Sequence, residues 1–137
     1  MAMRALISYS PSHPKLKGLA EGIAKGLEGQ GNSVEVMEVS VSDRPVSMGM
    51  YDLLIVGSPS LGFLGGKVAD DIVVFIRRCS RLEGKKVAAF VPAGGFGTSK
   101  SLTALMKLAE TQGAIVVDFA ALGNEKHART FGSKFRS

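Results

Sequence analysis

The most constraining feature of this sequence is an unbroken run of four large aliphatic residues inside a short segment that ends in glycine. Residues 51–57 read Tyr-Asp-Leu-Leu-Ile-Val-Gly, and the run 53–56 has no polar position. A strand with one wet face alternates polar and apolar residues, whereas a strand covered on both faces does not. We therefore expect a buried strand at Tyr51–Gly57 in a sheet with helices on both faces.

Strand and helix patterns alternate along the rest of the chain. Further apolar segments predict strands at Met3–Ser8, Val34–Val39, Lys86–Val91 and Ala114–Leu122. Apolar residues spaced three and four apart predict helices at Lys15–Gln30, Lys67–Arg78 and Ser101–Gln112, with a short basic helix from Glu125 onward. Such alternation indicates an α/β fold with a parallel sheet. At 137 residues, we expect one domain spanning 1–137.

Three glycines recur every four residues in the first predicted helix. Gly18, Gly22 and Gly26 occupy this spacing. Each costs up to about 1 kcal/mol of helix propensity relative to alanine, so their presence needs a reason. We interpret the repeat as close packing of this helix on the sheet.

Composition excludes several classes of protein. The single cysteine, Cys79, excludes an internal disulfide, and one cysteine with two histidines does not make a structural zinc site. We interpret Cys79 as a structural residue at a helix end, although nearby Arg77, Arg78 and Arg81 could lower its pKa. No apolar run reaches the length of a membrane span or a signal-peptide core, so we expect a cytoplasmic protein with no membrane partner.

The formal net charge of +5 permits acidic partners. It does not favour nucleic acid, because no aromatic residues are interleaved with the basic ones.

The candidate site follows from three loops of unusual composition. They span residues 8–15, 58–66 and 92–100, and each leaves the carboxyl end of a predicted strand. In a doubly wound sheet of order 2-1-3-4-5 these loops are neighbours at the point where the strand order reverses, which is where such sheets bind ligands. None carries a dinucleotide fingerprint or a nucleotide P-loop, because residues 95–100 read Gly-Phe-Gly-Thr-Ser-Lys.

Four segments resemble the flavodoxin family over nearly the whole chain. Tyr51–Ser60 resembles its third strand and first ring-contacting loop, and Leu82–Phe90 resembles the start of its fourth strand. Gly94–Gly97 lies where the family places its second ring-contacting loop, and Gly113–Val117 matches its approach to strand five. The resemblance implies a flavodoxin-like three-layer sandwich. Its five-stranded parallel sheet would have the order 2-1-3-4-5, with helices on both faces and FMN as cofactor.

The family wraps the FMN phosphate with the hydroxyls and N–H groups of a loop of pattern Ser/Thr-x-Thr-Gly-Asn-Thr. The corresponding residues here are Ser10, Pro11, Ser12, His13, Pro14 and Lys15. The resemblance implies that Ser10 and Ser12 supply hydroxyls. Lys15, with His13, would compensate electrostatically for the N–H donors that the two prolines lack. The alternative is a strand-to-helix turn that binds no ligand.

The resemblance places the flavin ring between the second and third loops. Candidate contacts there are Ser58, Pro59, Ser60, Leu61, Phe63, Gly94, Gly95, Phe96 and Gly97. Phe63 and Phe96 are candidates for stacking on the ring, with Leu61 as a substitute. The alternative is that each Phe caps the adjacent core. The family commonly uses Trp or Tyr here, whereas this chain has no Trp.

An FMN-binding electron-transfer protein is the function that the resemblance implies, with no catalytic side chain and no metal. Its redox partner is unknown, and we expect a monomer or a weak dimer. Electron-carrying flavodoxins are typically acidic, whereas this chain is basic. Two alternatives stay open: a flavin-free flavodoxin-fold domain that binds or regulates a partner, and a small FMN-dependent quinone or flavin reductase.

Overall fold

Five strands and four α-helices alternate in the computed structural model, which describes residues 2–42, 44–60, 68–94 and 97–136. The strands are β1 (Arg4–Tyr9), β2 (Ser33–Glu38), β3 (Leu53–Gly57), β4 (Lys86–Pro92) and β5 (Ile115–Leu122). The helices are α1 (Leu16–Glu28), α2 (Asp70–Arg78), α3 (Thr98–Thr111) and α4 (Glu125–Ser133). A single 3-10 turn at Met48–Met50 interrupts the connection between β2 and β3 within these residues.

The strands form one sheet of order β2-β1-β3-β4-β5, and all paired strands are parallel. All residues of the central β3 are buried, as its unbroken aliphatic run predicts. β2 lies at an edge, and its residues are exposed or half-buried because only one side of this strand is paired. The predicted α/β class and strand order are confirmed.

Two hydrophobic cores cover the two faces of the sheet. Successive side chains of β1 point to opposite faces, so Ile7 joins the core beneath α1 and α4 while Leu6 joins the core beneath α2 and α3. The apolar stripe predicted for α1 is buried in full: Leu16, Leu19, Ile23 and Leu27. The helices therefore lie on both faces and leave the carboxyl ends of the strands as one edge.

The glycine repeat of α1 packs against α4 and not against the sheet, which corrects the interpretation from sequence. A Cβ atom added at Gly26 would collide with the backbone oxygen of Arg129, and one added at Gly22 would lie 2.9 Å from the Cβ of Ala128. Gly18 faces open space. Gly22 and Gly26 let α4 cross α1 at close range, and Gly18 takes no part in that contact.

Helix α2 begins at Asp70, three residues later than predicted. Ala69 is extended, with a ψ of 140°, and its N–H donates to the Ser58 Oγ at 3.4 Å. This bond ties the residue before the helix to the end of β3. Asp70 and Asp71 then form the first turn, where carboxylates interact favourably with the helix dipole.

Helix α3 begins at Thr98, three residues earlier than predicted. Gly97 precedes it with a φ of +70°, a left-handed conformation that favours glycine. The N–H of Ser101 donates to the Gly97 oxygen at 2.9 Å, which closes the first helical turn. The third loop is therefore shorter than the sequence suggests.

Cys79 caps the carboxyl end of α2 and is buried. Burial raises the pKa of its thiol to about 11, so the neighbouring arginines do not lower it. The structural interpretation of this cysteine agrees with its position.

Among the residues described here, no cluster of three His, Cys, Asp or Glu side chains could hold a metal ion, and no helix is long and apolar enough to cross a membrane.

Candidate functional site

The carboxyl ends of β1, β3 and β4 lie side by side. The N–H of Ser10 donates to the Gly57 oxygen at 3.0 Å, and the N–H of Ser58 donates to the Phe90 oxygen at 3.1 Å. These bonds join the first residue after each of β1 and β3 to the neighbouring strand. The first two loops thus leave the sheet next to each other, and we call the region formed by residues 10–15, 58–60, 93–94 and 97 the strand-end site.

The structure brings part of the predicted site together. Three predicted residues are buried at the strand ends: Ser10, Ser58 and Pro59. Three are half-buried: His13, Ser60 and Gly97. Three are exposed: Ser12, Lys15 and Gly94. Four lie outside the described residues: Leu61, Phe63, Gly95 and Phe96. The predicted ring stacking therefore stays a prediction.

Two backbone N–H groups of the first loop donate to side chains of the same loop. The N–H of Ser12 donates to the Ser10 Oγ at 3.2 Å, and the N–H of Lys15 donates to the His13 Nδ1 at 3.1 Å. The two prolines of the loop have no N–H to offer.

The two serine hydroxyls of this loop direct their protons toward a carboxylate. Ser10 Oγ donates to Asp71 Oδ2 at 2.7 Å, and Ser12 Oγ lies 2.6 Å from Ser10 Oγ. A hydroxyl has one proton, and that of Ser10 goes to Asp71, so Ser12 is the donor in the serine pair. The hydroxyl of Ser12 therefore donates to Ser10, and the hydroxyl of Ser10 donates to Asp71. We call these three residues the hydroxyl–carboxylate chain.

Asp71 is the residue of this site that sequence reasoning missed. It lies in the first turn of α2, where the helix dipole favours a negative charge. Its second carboxylate oxygen, Oδ1, is buried and has no hydrogen-bond partner among the described residues. The available signal was the pair Asp70-Asp71 shortly after the second loop, because a helix placed there brings its first turn to the strand ends.

Whether a phosphate fits this loop depends on the hydrogen-bond donors and positive charges that its side chains have free. A phosphate dianion accepts hydrogen bonds and donates none. Ser10 Oγ already donates one bond and accepts two, and the proton of Ser12 is already used. Among residues 10–15, the exposed Lys15 is the one Lys or Arg side chain that could pair with an anion. As they are arranged, the serine hydroxyls of the first loop do not fit the phosphate of FMN.

The second loop is tied to the start of α2. Ser58 Oγ donates to the Pro59 oxygen at 3.1 Å and accepts the N–H of Ala69 at 3.4 Å. The buried Ser58 therefore joins the end of β3 to the helix that carries Asp71. This explains how a residue of α2 reaches the first loop.

Comparison with known proteins supports the architecture. No protein-family model matches the sequence, and no curated protein matches it. Oxidised flavodoxin 1 from Bacillus cereus is 21% identical, with a TM-score of 0.74 over 96% of this chain and 95% of that one. A flavodoxin from the domain Archaea is 16% identical, with a TM-score of 0.69 over 96% and 95%. Two-electron reduced Megasphaera elsdenii flavodoxin is 19% identical, with a TM-score of 0.65 over 95% and 99%.

The three structures share less than a quarter of their residues with this chain, so the likeness concerns the fold. It extends over nearly the full length of each, and it agrees with the strand order and with the helices on both faces. This chain therefore has the flavodoxin-like fold that its sequence motifs resemble.

Proposed function

We propose that this chain is a flavin-binding electron-transfer protein whose flavin ring lies between the second and third loops of the strand-end site. FMN is the flavin that the resemblance to flavodoxins implies. The proposal is supported by the adjacency of the strand ends from which the loops leave, as the bonds from Ser10 to Gly57 and from Ser58 to Phe90 indicate. Open parallel sheets bind their ligands at this edge.

The third loop has a backbone suited to a flat ligand. Gly94 and Gly97 both adopt left-handed conformations, with φ values of +92° and +70°. No Cβ stands between such a backbone and a ring that approaches it, so backbone groups can meet the polar edge of a flavin. This geometry supports the ring end of the proposed ligand more directly than its phosphate end.

The proposal is tested by thermal melting of the protein with and without FMN and riboflavin. A ligand that binds the native state raises the melting temperature, by an amount that grows with its concentration. We expect a rise with at least one of the two flavins. Reduction of the loaded protein by dithionite, followed by its reoxidation with an external acceptor, then tests electron transfer.

Single substitutions localise the ring. Phe63→Ala and Phe96→Ala are each expected to weaken flavin binding, since both lie in the loops assigned to the ring. Phe119→Ala is the matched control, because Phe119 is an exposed residue of β5 outside the strand-end site. Equal flavin affinities for all three variants and the wild type would remove the ring from these loops.

A flavin-free domain that binds or regulates a partner is the second candidate. The observation in its favour is the first loop, whose N–H groups at Ser12 and Lys15 and whose serine hydroxyls bond within the protein. An absence of any melting shift at flavin concentrations far above micromolar would favour this candidate over the electron carrier.

A further inference from the structure

We infer that Asp71 sets the ligand selectivity of the strand-end site, so that the first loop takes a hydrogen-bond donor, such as the terminal hydroxyl of riboflavin, in place of the phosphate of FMN. The inference rests on the proposed flavin function and concerns the same site. Its basis is that both hydroxyls of the hydroxyl–carboxylate chain donate toward Asp71 and not toward a ligand.

The carboxylate determines that direction. An ionised Asp71 can only accept, so Ser10 must give it its single proton across the 2.7 Å contact. Ser10 then accepts from both the N–H and the hydroxyl of Ser12. What the two serine hydroxyls leave for a ligand is the lone pairs of Ser12, which receive a hydrogen bond and cannot give one. A neutral hydroxyl satisfies them, and a phosphate dianion does not.

Repulsion between the Asp71 carboxylate and a phosphate also favours a neutral ligand group. A phosphate oxygen in contact with Ser10 would lie about 5 Å from the Asp71 carboxylate, because only one hydroxyl oxygen would separate the two anions. Like charges at that separation repel, and the repulsion is strong where water is partly excluded. Lys15 opposes this effect weakly, since its side chain is exposed and therefore screened by water and salt.

The buried Oδ1 of Asp71 is an independent observation. It has no hydrogen-bond partner among the described residues, and a buried acceptor without a donor lowers stability. Because Oδ1 is closed to solvent, a ligand does not bond it directly. Its uncompensated negative charge adds to the potential next to Ser10, which disfavours a phosphate relative to a neutral hydroxyl. The unpaired Oδ1 of Asp71 and the hydroxyls that donate toward Asp71 thus both favour a neutral hydroxyl of the ligand over a phosphate.

The selectivity is tested with wild type, Asp71→Asn and Asp70→Asn. Asparagine at position 71 keeps the shape, removes the charge and supplies an NH2 donor, so Ser10 is free to turn its proton outward. Asp70 lies in the same helical turn and is exposed, so its substitution matches the change in charge and helix dipole. Affinities for FMN and riboflavin are measured by titration of the flavin fluorescence.

Wild type is expected to bind riboflavin at least as tightly as FMN. Asp71→Asn is expected to shift the ratio of the two affinities toward FMN by about tenfold, the scale of one hydrogen bond to a charged group. Asp70→Asn is expected to leave the ratio unchanged. A wild type that prefers FMN over riboflavin, or equal shifts in the two variants, would overturn the inference.

A second measurement separates this inference from the proposed function. The three proteins are melted in inorganic phosphate and in sodium chloride of equal ionic strength. Phosphate should stabilise Asp71→Asn more than it stabilises Asp70→Asn or wild type. If wild type binds neither flavin, the proposed function fails, and this comparison alone decides the role of Asp71: a larger shift in Asp71→Asn supports it, and equal shifts in both variants refute it.

Discussion

At the scale of single residues, the end of β3 depends on the absence of a side chain. A Cβ added at Gly57 would lie 2.6 Å from the Cε2 of Phe90, whose ring is fully buried. The oxygen of Gly57 also receives the N–H of Ser10. A shift of this strand end would therefore disturb the core and the first loop together.

Gly57→Ala is expected to lower the free energy of unfolding by about 2–3 kcal/mol, since a methyl group must be forced against a packed ring. Adding Phe90→Leu should recover part of that loss, because the two residues are in contact and their effects are not additive. Urea denaturation of the single and double variants measures both effects. Strictly additive losses would contradict the contact.

Cys79 has a thiol that is shielded rather than activated. Its pKa of about 11 lies above the ordinary value of 9.0, because burial penalises the thiolate. The stability that this shift contributes is present below pH 9 and is lost as pH rises from 9 toward 11.

We expect iodoacetamide to alkylate folded Cys79 much more slowly at pH 8 than the same chain in urea. The folded rate should rise as pH approaches 11. Equal rates for the folded and unfolded chain at pH 8 would show that the thiol is accessible.

At the scale of elements, the close crossing of α1 and α4 gives the sharpest expectation. Gly26→Ala should lower the free energy of unfolding by about 1–3 kcal/mol, because its methyl group would meet the backbone of α4. Gly18→Ala is the matched control on the same helix. It should raise that free energy by up to about 1 kcal/mol, because alanine favours helix and nothing lies within 4 Å. A stabilising Gly26→Ala would mean that α4 does not lie this close.

Local pattern predicted the elements but not what each one contacts. The aliphatic run of β3 and the apolar stripe of α1 are local signals, and both predicted burial correctly. The glycine repeat signals a close neighbour without naming it, so the choice of the sheet over α4 was wrong. Helix α2 begins later than predicted because Ala69 is extended and bonded to Ser58. Helix α3 begins earlier than predicted, directly after the left-handed Gly97.

The same limit applies to the candidate site. Ser10 and Ser58 were predicted, because each directly follows a recognisable strand. Asp71 was not, because its partner Ser10 is 61 residues away along the chain and no local spacing links them. The direction of a proton between two side chains requires the tertiary structure.

At the scale of the whole molecule, the formal net charge of +5 provides a test of the proposed electron transfer. A positive surface attracts anions and repels cations, and salt weakens both effects. For the reduced, flavin-loaded protein, the rate of oxidation by anionic ferricyanide should fall as salt rises, and the rate with basic cytochrome c should increase. Stopped-flow traces at several ionic strengths measure this, and parallel trends for the two acceptors would argue against steering by charge.

The position of α4 also bears on how the protein is made. A ribosome releases its product from the amino end, so β1, α1 and β3 emerge before the helix that must cover them. Until α4 has emerged, the bare glycine face of α1 and the apolar side chains beside it have no cover on that side of the sheet. The core on this face of the sheet is therefore completed only after α4 has emerged, and until then the nascent chain exposes apolar surface that favours aggregation and binding by chaperones.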